Sequence, residues 1–139
     1  MFQFKDIIGQ DEVKTSLIAQ VNSGKLHHAH LFLGKMGYGT FQLAMAFLKY
    51  IYCQDKQEND SCGECANCIK LSKFNHIDIH CTLPSFDINN LSSALMPEFR
   101  EIVEEKKGMF DLKDWMDFHK EKNAKIWSAE CDNKLHEMG

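Results

Sequence analysis

Four cysteines within sixteen residues, spaced Cys53-x8-Cys62-x2-Cys65-x2-Cys68, constrain this chain more than any other stretch. Two successive Cys-x2-Cys steps offer thiols from one tight turn, and Cys53 can fold back as a fourth donor. That is the tetrahedral sulfur set zinc takes in structural sites, with no coordination position left for water or substrate. Gly63 suits the turn, while Glu64 and Asn67 are spacers by position. Cys-x2-Cys-x2-Cys is also an iron–sulfur spacing. Against that reading, the fourth cysteine lies upstream and no Cys-Pro follows Cys68. Four unrelated buried thiols would be the plain alternative. A disulfide frame fits poorly, because Met1-Phe2-Gln3-Phe4-Lys5-Asp6 lacks the basic-then-apolar build of a secretory signal. Cys81 and Cys131 stand apart, and Cys81 is expected to pack as a small apolar residue.

The 139 residues suffice for one domain with a core, so residues 1–139 are expected to form a single unit. No apolar run approaches the roughly 20 residues of a spanning helix, and the chain is expected to be cytoplasmic. A net charge of -4 argues against a surface that coats nucleic acid.

Upstream of the cysteines, Leu31-Phe32-Leu33 reads as a short buried parallel strand, followed by the glycine-rich Gly34-Lys35-Met36-Gly37-Tyr38-Gly39-Thr40-Phe41 and an apolar helix from Leu43 to Ile51. Strand, glycine loop and helix is the setting of a phosphate-binding loop, in which backbone N–H groups and a helix N-terminus face the phosphates. Gly34, Gly37, Gly39 and Thr40 are the candidate phosphate-loop residues. A working loop ends in Gly-Lys-Ser/Thr, the lysine on the β- and γ-phosphates and the hydroxyl on magnesium. Here those places hold Thr40 and Phe41, and Lys35 is not at the required place. Losing a charge-assisted hydrogen bond costs about 1.5–3 kcal/mol, so the chain is expected not to hydrolyse nucleotide. An ordinary tight turn fits the same glycines.

A helix is expected after Gly9 and Gln10, over Val13, Leu17, Ile18 and Val21, stopping at Gly24. His27, His28 and His30 read as partly solvated flanks of the strand. After the cysteines come a short helix over residues 69–74 and a second parallel strand over residues 76–84, with His76 and Asp78 read as backbone hydrogen-bonders. Pro97 is expected to open a helix that runs to Lys107 and stops at Gly108. Asp111 should cap another carrying Trp115, Met116 and Phe118, and Ser128 a last one through Leu135. Two strands are few for a complete parallel sheet.

Phe4-Lys5-Asp6-Ile7-Ile8-Gly9-Gln10, Leu26-His27-His28-Ala29-His30-Leu31-Phe32, the glycine loop and the four cysteines together resemble the N-terminal part of bacterial DNA polymerase III clamp-loader subunits, gamma/tau and delta-prime, over residues 2–84. His76-Ile77-Asp78 is similar to the His-Pro-Asp that follows the zinc module there. The resemblance implies an α/β fold of the P-loop NTPase (AAA+) type: a parallel sheet flanked by helices, incomplete at its C-terminus, with a four-cysteine zinc module inserted over residues 53–68. In that family gamma/tau subunits carry Gly-Lys-Thr and hydrolyse ATP, whereas delta-prime subunits often have a degraded loop and serve as a rigid stator. Thr40 and Phe41 point to the second type. The implied partners are other clamp-loader subunits and, through them, the sliding clamp and primer–template DNA. The implied cofactor is structural zinc, with ATP not expected. A magnesium-binding Walker B strand would follow soon after Gly139, so the chain is expected to be a fragment. Three alternatives remain: a gamma/tau-like subunit that still binds nucleotide, an iron–sulfur electron-transfer protein, and a stand-alone zinc-knuckle nucleic-acid binder, which the acidic charge balance disfavours.

Overall fold

A computed structural model describes residues 1–35, 37–87 and 91–126. The helix expected over residues 128–135, and Cys131 with it, lie outside those residues. The described residues divide into two compact units, one over Met1–His76 and one that begins at Ile77.

The first unit is built on three helices: α1 (Asp11–Asn22), α2 (Thr40–Tyr52) and α3 (Ala66–Ser72), preceded by a 3-10 turn over Phe4–Asp6. Asp11 and Glu12 place negative charge in the first turn of α1, where the helix dipole favours it. Helix α2 has apolar residues almost all round and is correspondingly the buried centre of the unit. Leu43, Ala46, Phe47 and Tyr50 from α2 meet Leu17 of α1 and Phe4 and Ile7 of the N-terminal segment, with Ile18, Val21, Phe32 and Ile51 at the margin. Tyr50 keeps its hydroxyl satisfied by donating to Asn22 Oδ1 at 3.1 Å.

The second unit holds α4 (Ser92–Glu105) and α5 (Leu112–Phe118). Leu95, Phe99, Ile102 and Val103 of α4 are buried, as is Trp115 of α5. The Trp115 indole N–H donates to the Pro84 carbonyl at 2.7 Å, and its ring lies 6.1 Å from those of Phe86 and Phe99. Helix α4 begins at Ser92, five residues before the expected start, and carries Pro97 inside it. Beyond its last turn the Gly108 N–H reaches back to the Val103 carbonyl at 2.9 Å, in a left-handed conformation (φ +76°). Asp111 caps α5 as expected: its carboxylate accepts from the Asp114 N–H at 2.8 Å, and Asp114 accepts from the Asp111 N–H at 3.1 Å. Replacing Asp111 with alanine is therefore expected to cost about 1 kcal/mol of stability. Urea unfolding of the variant with an unchanged midpoint would show that this cap contributes nothing.

The expected parallel sheet is not formed. Among the described residues there are five α-helices, no strand, and one isolated antiparallel bridge between Ser85 and Lys125. The reason lies in the partners each apolar run finds. Leu31 and Leu33 are both 82% exposed, while Phe32 between them turns inward to a ring distance of 6.1 Å from Phe47. The alternation of a strand is present, but no neighbouring strand takes up its hydrogen bonds. In residues 76–84 Ile77 is exposed, and the Leu83 N–H donates at 2.7 Å to the Ser92 hydroxyl instead of to a sheet. The P-loop NTPase (AAA+) type of α/β fold expected from the sequence is thus corrected to a helical one over the described residues.

Candidate metal centre

The four cysteines converge. Cys53 terminates α2, Cys62 lies in the loop, Cys65 is the N-cap of α3 and Cys68 is on its first turn. Their Sγ atoms all lie within 4.8 Å of one another. Cys53 Sγ is 3.5 Å from Cys62 Sγ, and Cys62 Sγ is 4.0 Å from Cys68 Sγ. These distances far exceed a disulfide. They bracket the separation of about 3.8 Å that tetrahedral zinc imposes with Zn–S bonds near 2.3 Å. The group therefore fits a single tetrahedral ion in donor type, number and spacing. Several irons would spread four thiolates farther apart than one ion does.

The surrounding backbone is arranged for anionic sulfur. The Cys62 N–H donates to Cys53 Sγ and the Cys65 N–H to Cys62 Sγ, each at 3.3 Å. Gly63, in a left-handed conformation (φ +80°), makes the turn between them, and a Cβ there would press on the Gln3 side chain at 3.0 Å. Burial pushes the Cys53 thiol up. Burial, with hydrogen bonding to the Cys65 thiol, pushes Cys68 up to about 12. At Cys65 burial acts the same way but is outweighed by backbone hydrogen bonds from Gln54 and Cys68 and by the neighbouring thiols, which bring it down to about 6. Four crowded thiols cannot all ionise by themselves. A divalent cation held by the four sulfurs would supply the positive charge that allows it.

Residues with no metal-ligand pattern hold this centre in place. Asp60 accepts from the Phe4 and Lys5 N–H groups at 3.0 Å each. Gln3 Nε2 donates to the Ser61 carbonyl at 2.6 Å. Asn67, a spacer by sequence position, donates from Nδ2 to the Tyr52 carbonyl at 2.9 Å and so closes the end of α2. Sequence reasoning missed these roles. The one available signal was Lys49, a charge set among Phe47, Leu48, Tyr50 and Ile51.

The glycine loop lies elsewhere in the same unit. Gly37 (φ +84°) and Gly39 (φ +72°) are left-handed, and Gly39 is the N-cap of α2 with no side-chain cap. A Cβ on Gly34 would collide with Thr40 Oγ1, so Gly34 and Thr40 are packed close. Gly34, Lys35, Tyr38 and Thr40, with Leu31 and Phe32, line a cleft of about 410 Å³. Phe41 faces away from any such role: its ring lies 5.8 Å from that of Phe2 and is stacked at 6.2 Å on Phe74. His27, His28 and His30 are exposed, and among the described residues no metal-ligand group includes them. The buried His76 packs its ring 4.8 Å from Tyr52.

What the fold and centre define is a helical module with a glycine turn at the head of one helix and a four-cysteine cluster at its foot. By sequence the chain belongs to the family described as DNA polymerase III, delta subunit, which it matches over residues 9–112. It is 32% identical over 101 residues to DNA polymerase III subunit tau/gamma of Haemophilus influenzae, covering 73% of this chain and 14% of that protein. To DNA polymerase III subunit tau of Escherichia coli it is 33% identical over 101 residues, again 73% of this chain and 15% of the relative. To subunit delta' of Escherichia coli it is 32% identical over 89 residues, 64% of this chain and 27% of the relative. The chain thus spans about one seventh of the tau-type relatives and about a quarter of the delta' relative. The resemblance to DNA polymerase III subunits is borne out. No solved structure matches the chain. Among the described residues no helix is long and apolar enough to cross a membrane.

Proposed function

We propose that this chain is the amino-terminal part of a clamp-loader subunit of DNA polymerase III that acts as a non-hydrolysing stator, with Cys53, Cys62, Cys65 and Cys68 holding one structural zinc. Its partners are other clamp-loader subunits and, through them, the sliding clamp and primer–template DNA. Family membership supports the assembly, and the converging sulfurs support the zinc. The observation that carries the non-hydrolysing part is Phe41. It occupies the place of the magnesium-binding hydroxyl and packs its ring against those of Phe2 and Phe74, which also touch each other. A hydrocarbon ring offers a metal no oxygen, and rotating it outward would open the aromatic contacts of the N-terminal segment. Phosphate release from ATP is expected to stay at the buffer blank for the chain alone, whatever its concentration. Turnover that rises with this chain's concentration would end the stator reading.

A second reading, a gamma/tau-like subunit that binds nucleotide without hydrolysing it, is favoured by the cleft beside Gly34, Lys35 and Thr40. Equilibrium dialysis with labelled ATP separates the two. Retention abolished by Gly37→Val would select the nucleotide-binding form.

A further inference from the structure

Lys49 is only 1% exposed, although it carries a charge and sits on the strongly apolar helix α2. Its ammonium donates to the Met1 carbonyl at 2.8 Å and to the Ser72 hydroxyl at 3.0 Å, and Ser72 in turn donates to the Cys68 carbonyl at 3.0 Å. Neither acceptor is charged, so these bonds alone do not explain a lysine there. A buried ammonium costs several kcal/mol unless an opposite charge lies near. Burial works against the charge on Lys49 and lowers its pKa, and the opposing attraction comes from Cys68 and then Asp6, Asp60 and Cys62. The hydrogen-bond chain through Ser72 reaches the backbone of Cys68 itself. Lys49 also lies in the last turn of α2, where the helix dipole adds negative potential. Four thiolates around a divalent ion leave a net double negative charge inside the protein, and something must offset it.

We propose that Lys49 is the fixed countercharge of the cysteine centre, a positioning residue whose buried ammonium, tied to Met1 and Ser72, offsets the charge of the metal-bound thiolates. The inference rests on the metal reading above. It separates two roles that a merely structural lysine would merge. In the metal-free chain the ammonium is a burden, because it is buried on a neutral carbonyl and a neutral hydroxyl with no ion-bound thiolate cluster to offset. In the metal-bound chain it is an asset. Removing the charge should therefore act in opposite directions on the two forms.

The test is a cobalt(II) titration of the full metal-free chain, read by sulfur-to-cobalt charge-transfer absorption, with zinc competition to give the zinc affinity. Lys49→Met keeps the stem and removes charge and donors. Lys49→Gln removes the charge and keeps a donor. Both are expected to bind cobalt and zinc roughly 10- to 100-fold more weakly than wild type. Metal-free K49M is expected to keep a helical circular-dichroism signal no lower than that of metal-free wild type. Wild-type affinity in K49M and K49Q would overturn the proposal. So would wild-type affinity in K49Q with loss in K49M, which would assign the residue to hydrogen bonding alone. A drop in helical signal confined to the metal-free variants would also overturn it, by making the lysine a general requirement of the fold. A wild-type chain with no charge-transfer band would instead remove the metal reading itself.

Discussion

Cys68→Ser is expected to empty the metal centre and strongly destabilise the unit around it. Cys68 is fully buried within α3, and its sulfur is 4.0 Å from that of Cys62. Serine there leaves three thiols and an oxygen that binds zinc poorly. Structural zinc contributes about 10–16 kcal/mol of binding free energy in small modules, which is also folding free energy. That is comparable to the whole stability of a domain, about 5–15 kcal/mol. Losing even about 3 kcal/mol of it would lower the melting temperature by about 12–24 °C in a unit this small. Elemental analysis should fall from about one zinc per wild-type chain to near none. Cys81→Ser, at a cysteine outside the group, should leave both readings at wild type. A C68S chain that kept its zinc and its melting temperature would remove Cys68 from the ligand set.

Acid should release the metal by the same chemistry, because each sulfur that takes a proton stops being a ligand. In the metal-free chain the signs differ between the two displaced thiols. Cys65, held near 6 against an ordinary 9.0, stabilises the fold above pH 9, and that contribution fades as pH falls toward 6. Cys68, raised to about 12, contributes below pH 9 and loses its share as pH rises toward 12. Metal-free stability should therefore be greatest near pH 9 and decline on both sides, which a urea midpoint measured against pH would follow.

The second large effect is expected at Phe47. Truncation to alanine should cost about 3–5 kcal/mol. The ring is 2% exposed and belongs to the cluster of Phe4, Ile7, Leu17, Leu43, Ala46 and Tyr50. It lies 6.1 Å from Phe32 and 5.0 Å from His30, centroid to centroid. The surrounding helices α1 and α2 cannot both close on the space left behind, so transfer and cavity terms add. Urea unfolding of F47A within about 1 kcal/mol of wild type would place the core elsewhere. Leu33→Ala, at a site 82% exposed, is the matched control and should shift the midpoint little.

The helices were legible because their signals are local. Asp11 and Glu12, the apolar run from Leu43 to Ile51, and the Asp111 cap each act within a few residues, and α1, α2 and α5 form where those signals stand. The cysteine centre was legible for a similar reason, since three of its four sulfurs lie within seven residues. What sequence reasoning misread is what depends on distant partners. Leu31-Phe32-Leu33 has the right alternation for a strand, but alternation does not supply a neighbour. Pro97 marks a helix start by preference, and α4 begins earlier because Leu95, like Phe99 and Ile102, gains more from burial than one absent N–H costs. The supports of the centre were hidden for the same reason. Asp60 and Lys49 find their partners 56 and 48 residues away, at the N-terminal segment.

Those long reaches also bear on how the protein is made. Gln3, Phe4 and Lys5 are translated 55 to 58 residues ahead of Asp60 and Ser61, which hold them. At ribosomal rates of about 5–20 residues per second, the segment waits roughly 3–12 s before its docking site exists. During that interval Phe2 and Phe4, each 2% exposed once docked, face solvent or a chaperone. Closure is then gated by synthesis of the cysteine loop and not by diffusion, since bringing together ends of this separation takes far less time than making it. The nascent chain thus carries this apolar segment without its docking site for seconds, and that exposure ends only once Asp60 and Ser61 have been made.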